Sequence, residues 1–182
     1  MKFLYNRKLA VIILVICIVG TILVGGGRSL ERYRDTQGQL FYNGTTGDGN
    51  SIASDLRARC EAGHNLITVA KRYMDANAAE IKALSDSITT LENAATVREA
   101  FDANYDLTLS ADHLYSVLNN TALSDADKKL VSGQFTELTS RNQTISHDGY
   151  NTVAVEFNDL LGRFPTSVIA MANGIVPLEL FR

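Results

Sequence analysis

Leu9-Ala-Val-Ile-Ile-Leu-Val-Ile-Cys-Ile-Val-Gly-Thr-Ile-Leu-Val24 decides what kind of chain this is. Lys2, Arg7 and Lys8 stand before it, and charge returns only at Arg28, after Gly25, Gly26 and Gly27. The nineteen uncharged residues 9–27 would make about 28 Å of helix, enough to cross the hydrocarbon core of a bilayer. A cleaved signal peptide competes for the segment, because Gly25 and Gly27 have the spacing of small residues at a cut site. The apolar run is longer than the roughly 7–15 residues of a signal-peptide core, which favours an uncleaved anchor. Cys17 lies in the middle of the run and belongs to no Leu-x-Gly-Cys lipidation signal. The cationic residues flanking the span are nearly balanced, with Arg28, Arg32 and Arg34 on the far side. The short tail carries its charge undiluted by acids, which favours the amino terminus inside and the domain outside.

The chain therefore divides into a basic tail (1–8), a transmembrane anchor (9–27), a polar juxtamembrane linker (28–50) and a helical domain (51–182). The linker ends in Asn43-Gly-Thr-Thr-Gly-Asp-Gly-Asn50, a loop or hinge signal rich in glycine and Asx residues. A net charge of −3 gives no basic face for nucleic acid. The only prolines are Pro165 and Pro177, so no proline breaks a helix between Arg28 and Phe164, which favours helix there. Cys60 is the single cysteine of the domain; a buried free thiol is the expectation, and an intermolecular disulfide stays open.

Past Ser51 the apolar and small residues fall at steps of three and four: Ile52, Leu56, Cys60, Gly63, Leu66, Ala70, Met74, Ala78, Ile81, Leu84, Ile88 and Leu91. The mean step of about 3.5 predicts one long helix in a left-handed bundle, with Tyr73 at the edge of its seam. Asp55, Arg57, Arg59, Lys71, Arg72, Asp75, Asn77, Glu80 and Lys82 would form its solvated face. A second helix starts near Thr96 and runs through Val97, Phe101, Leu107, Ala111, Leu114 and Leu118. Ser124 caps a third, with Val131, Phe135, Leu138 and Ile145 in its seam, which slips near Gly149 and continues to Phe164. Pro165 stops it, and the apolar tail folds back as a short fourth helix. The fold class is all-α: an antiparallel three- to four-helix bundle with long helices behind the anchor.

At the end of the third segment Tyr150-Asn151, Phe157-Asn158 and Phe164-Pro165 recur every seven residues. Two helical turns separate the aromatics, which predicts one stripe with Ala154 and Leu161 between them. Asn151 and Asn158 flank that stripe, where an amide could bind a neighbouring backbone. A core seam is the plainer reading and a ligand site the rival.

This series, followed by Ile169-Ala170 and Gly174-Ile-Val-Pro-Leu-Glu-Leu-Phe181, resembles the carboxy-terminal signature of the bacterial LemA family. Arg57-Ala-Arg59 with Asn65-Leu66-Ile67, Lys71 and Tyr73 resembles that family's first helix, although Gly63-His64 stands where the family has Ile-Pro. The resemblance implies a membrane-anchored helical bundle of the bacterial cell envelope with no established enzymatic activity. Asn65, Leu66, Tyr73, Tyr150, Asn151, Phe157, Asn158, Phe164 and Pro165 would be structural motif residues.

No metal, cofactor or catalytic residue is expected. His64, His113 and His147 lie on separate segments without ligand spacing, and no Gly-x-Ser-x-Gly or His-Glu-x-x-His occurs. The expected partners are the lipid bilayer, through residues 9–27, and an unidentified protein bound by exposed helix faces or the apolar tail; a homo-oligomer stays open. The expected role is a non-catalytic scaffold or interaction module of a bacterial cell membrane. The alternative is a sensory ectodomain signalling through a separate membrane protein.

Overall fold

The structure, a computed structural model, describes residues 7–47 and 49–182. Lys2 of the basic tail and Asp48 of the glycine-rich loop lie outside the described residues. All regular structure among the described residues is helical: α1 (Arg7–Gly38), α2 (Leu40–Asn43), α3 (Ile52–Ala70), α4 (Ala79–Glu92), α5 (Val97–Asn119), α6 (Asp125–Ser146), α7 (Tyr150–Gly162) and α8 (Thr166–Asn173). The chain divides into two compact units, one from the chain up to Gly38 with Thr152–Leu178, the other from Gln39–Asn151 with Glu179–Arg182.

In the first unit α1 is one unbroken helix of 32 residues, about 48 Å long. Its amino-terminal part is long and apolar enough to cross a membrane, and none of that window is covered by the rest of the chain. The polar continuation, expected as a linker over 28–50, is helical over much of its length. Helix runs through Arg28 to Gly38, because nothing in Arg28-Ser-Leu-Glu-Arg-Tyr-Arg breaks it, and between α2 and α3 the described residues 44–47 and 49–51 are non-helical. There Gly44, Gly47 and Gly49 take positive φ, and a Cβ on Gly44 would stand 1.9 Å from the Asn50 carbonyl.

Helix α8 docks on α1 at a notch made by two glycines. A Cβ on Gly26 would lie 3.0 Å from Ile169, and one on Gly27 only 2.3 Å from the Asn173 side chain. The Asn173 amide donates to the carbonyl of Leu23 (3.1 Å). Further along α1, Arg34 donates to the Val176 carbonyl at 2.9 Å, and the rings of Tyr33 and Phe157 meet at 5.8 Å. The expected fourth helix is thus only the first part of the tail: Gly174, left-handed at φ 66°, ends α8, and the chain continues to Arg182 without regular structure.

The second unit is a four-helix bundle. α3 packs on α4 and α6, and α5 packs on the same two, closing the ring. Links of a few residues make successive helices antiparallel. The core comes from Leu56, Leu66 and Ala70 of α3, Ile81, Leu84 and Ile88 of α4, Leu107, Leu114 and Leu118 of α5, and Val131, Leu138 and Ile145 of α6. Ser51 caps α3 in a reciprocal box with Ser54, each hydroxyl accepting from the other's backbone N–H at 3.1 Å. Thr96 caps α5 and Ser124 caps α6 in the same way from one side.

The single long helix expected over residues 51–91 is two helices. The chain turns back between Ala70 and Ala79, where Tyr73 N–H bonds to the Ala70 carbonyl and Asp75 accepts from the Asn77 N–H (2.8 Å). The Tyr73 hydroxyl donates to Asp127 at 2.5 Å and accepts from the Ser124 N–H at 3.2 Å, tying the turn to the start of α6. The three-and-four spacing crosses the reversal unbroken because both helices present their apolar face to the same core. Periodicity reports which side chains are inside, not whether the backbone is continuous. The seam slip at Gly149 is likewise a break: α6 ends at Ser146, and Asp148 accepts from the N–H of Tyr150 at 2.7 Å to start α7.

Two substitutions should separate core packing from helix propensity. Leu84→Ala, in full-length protein unfolded by urea, should lower stability by about 2–5 kcal/mol. Gly133→Ala, mid-helix on α6 with open space where its Cβ would go, should raise it by about 1 kcal/mol.

Candidate functional site

Asp55 and Arg59 do not lie on a solvated face. They sit one turn apart on α3 and are 2% and 1% exposed. Their neighbours Ile52, Leu56 and Cys60 define the inward side of α3, and the stripe is wide enough to take in the adjacent positions 55 and 59.

The Arg59 guanidinium is held by neutral groups from two other helices. Its Nε donates to the Leu138 carbonyl on α6 (3.1 Å). Nη1 donates to the side-chain carbonyls of Asn104 on α5 and Asn142 on α6, the latter at 2.9 Å. Nη2 donates to the Thr108 hydroxyl (2.9 Å), which in turn donates to the Asn104 carbonyl (3.0 Å). The Asn104 amide closes the set by donating to Asn142 at 3.1 Å. Desolvation pulls the guanidinium down to about 10, with Cys60 and Asp112 acting the other way, so it remains charged at neutral pH. Amide and hydroxyl dipoles stand in for the water it lost. Asp55 is matched separately, by Arg141 at 2.9 Å. No buried side-chain polar atom among the described residues lacks a partner.

One turn of α3 away lies a cleft of about 450 Å³. Buried Leu56, Cys60, Leu91 and Ala100 form its floor, and α2 contributes Phe41 and Tyr42 to one wall. The exposed residues Arg57, Glu61 and Glu92 form its rim. Burial, with Glu92 adding to it, pushes the Cys60 thiol up to about 11. The thiol is therefore protonated at neutral pH and is no nucleophile. The cleft offers apolar shape with charge at its mouth. His64 lies 3.4 Å from Glu92 at that rim, and among the described residues no three His, Cys, Asp or Glu converge as a metal site would require.

The motif residues fall into three groups. Leu66 is sealed in the bundle core, Asn65 donates to Gln134 at 3.0 Å, and Tyr73 makes the turn bonds described above. Tyr150 and Phe157 are buried on α7, but Phe164 is not on their stripe. The helix ends at Gly162, the rotation that would carry Phe164 inward is lost, and the ring is 84% exposed beside a cis Phe164–Pro165 bond.

Asn151 and Asn158 form the third group, and each clips the non-helical tail. In the first unit Asn158 accepts from the Leu178 N–H (2.7 Å) and donates to the Leu178 carbonyl (2.9 Å). In the second, Asn151 does the same to Phe181, at 2.8 and 2.9 Å. A side-chain amide carries the donor and acceptor of a peptide group, so one asparagine satisfies both backbone groups of one tail residue. The apolar tail is thereby engaged by its own chain, with Leu178 and Phe181 buried.

The Arg59 network was missed by that reading. Asn104 and Thr108 stand one turn apart, as Asp55 and Arg59 do, and polar residues paired at i and i+4 beside an apolar seam were its one visible trace.

No protein-family model, curated protein or solved structure matches the chain.

Arg59→Ala should destabilise the full-length protein by about 3–5 kcal/mol in urea, since it removes the donor that joins Leu138, Asn104, Asn142 and Thr108 and empties a fully buried position. Asn158→Ala should act locally. Exchange of the Leu178 amide with deuterium should accelerate while that of Phe181, still clipped by Asn151, stays slow. Equal acceleration at both would show that the two clips open together.

Proposed function

We propose that this protein is a single-pass membrane protein whose helical bundle is a non-catalytic scaffold or interaction module of the LemA type at a bacterial cell envelope. One observation carries the membrane part. The apolar side chains of α1 ring the helix on every side, with Leu14 59% and Ile16 63% exposed, and in water such a surface is untenable. A bilayer covers it. The glycine notch supports retention of the segment as an anchor: cleavage beyond Gly27 would strip α8 of the surface on which it is seated. Charge balance favours the bundle on the extracytoplasmic side.

The interaction part draws on the cleft of the second unit. Its apolar floor and charged rim suit an apolar side chain of a partner protein flanked by charges of both signs. The resemblance of Asn65-Leu66, Tyr73 and the Tyr-Asn, Phe-Asn, Phe-Pro series to LemA sequences supports the same role.

Fractionation and crosslinking test the reading in one preparation. The full chain should stay with bacterial membranes through alkaline carbonate and leave with detergent, whereas a chain lacking residues 9–27 should be soluble. A membrane-impermeant crosslinker on intact cells should join the bundle to one discrete heterologous protein. Adducts of the chain only with itself would sink the scaffold role, and adducts formed only by a permeant reagent would reverse the topology.

A further inference from the structure

Between Arg163 and Glu179 the sequence carries no charge: Phe164-Pro-Thr-Ser-Val168-Ile-Ala-Met171-Ala-Asn-Gly-Ile-Val-Pro-Leu178. The helix in this stretch, α8, has two distinct sides. Ile169 and Asn173, four residues apart, face the Gly26–Gly27 notch of α1. Val168 and Met171, three apart, lie away from it, and they are 49% and 84% exposed; Phe164, in the turn leading into the helix, is 84% exposed as well. A helix facing water normally turns charged residues outwards. This one turns out valine and methionine, next to an exposed phenylalanine.

Its position explains the inversion. The Asn173 bond to the Leu23 carbonyl and the glycine notch hold α8 beside the last turns of the apolar run of α1. Those turns are where a helix spanning about 30 Å of hydrocarbon leaves the membrane. Amphipathic elements at that level bury their apolar face roughly 5–10 Å into the boundary between headgroups and acyl chains. Arg163, exposed at the start of the uncharged stretch, is placed to meet lipid phosphate there.

We infer that Phe164 and the outer face of α8 lie in the interfacial layer of the bilayer that α1 crosses, forming a second, shallow membrane contact. The inference rests on the membrane reading of α1 given above. Through it, the α1–α8 pair grips the membrane with a spanning helix and a surface wedge, so that rotation and tilt of α1 are restrained by lipid as well as by protein.

The chain has no tryptophan, so single tryptophans can report depth without background. Phe164→Trp, Met171→Trp and Leu14→Trp would each be placed in the full-length protein and reconstituted into vesicles of phosphatidylethanolamine and phosphatidylglycerol. Lipids brominated near the glycerol backbone or near the chain end then quench by depth. The inference expects blue-shifted emission from Trp at 164 and 171, quenched strongly by the shallow bromines and weakly by the deep ones. Leu14→Trp should respond chiefly to the deep bromines. Quenching at 14 with none at 164 and 171 would overturn the surface wedge and leave the anchor standing. No quenching at any of the three would overturn the anchor, and the wedge with it.

Discussion

A cation sealed from water and hydrogen-bonded to no carboxylate organises the helical bundle. Arg59 cannot shed its charge at neutral pH, so folding has to bring enough dipoles to it or leave it uncompensated at a cost of several kcal/mol. The four acceptors that meet this need come from α5 and α6, and a guanidinium presents its donors in a rigid fork. Apolar seams are less directional, whereas a slide of one helix by a turn would carry these acceptors away from the fork. The Asp55–Arg141 pair adds a second directional tie between α3 and α6 one turn away. In this bundle hydrophobic burial supplies the drive to assemble, and the buried polar layer selects the arrangement.

The same economy of polar groups governs the tail. A tail outside any helix has backbone N–H and C=O groups that need partners. Asparagines on α7 supply them, Asn158 meeting both groups of Leu178 and Asn151 both groups of Phe181. The spacing that looks like a packing repeat thus also carries two backbone clips. The intervening side chains still pack as a seam, which is why Tyr150, Ala154 and Phe157 are buried while the recurrence fails at Phe164.

Glycine does a different job in α1. Within a helix it is unfavourable by roughly 1 kcal/mol relative to alanine, yet Gly25, Gly26 and Gly27 occur together where the apolar run ends. At Gly26 and Gly27 the missing side chain is the feature: each stands where a Cβ would collide with Ile169 or Asn173. A motif open to reading as a peptidase site is, in the folded chain, a seat for a second helix.

Much of this could be read before any coordinates were known. The apolar run and its basic flank identified α1. The steps of three and four placed Leu56, Leu66, Ile81, Leu84, Ile88, Leu107, Leu114 and Leu138 in a helical core, and Ser51, Thr96 and Ser124 marked helix starts, because burial and capping act over a few residues and leave local signatures. The reversal after Ala70, the burial of Asp55 and Arg59 and the seating of α8 on Gly26 were decided by tertiary structure. Each depends on a partner far along the chain: Asp127 for Tyr73, Asn104 and Asn142 for Arg59, Arg141 for Asp55, Ile169 for Gly26. Sequence by itself determined which segments would be helical and apolar. Which faces met, and which polar groups could afford to be inside, only the assembled fold could decide, since a buried donor is stable only where distant residues bring it an acceptor.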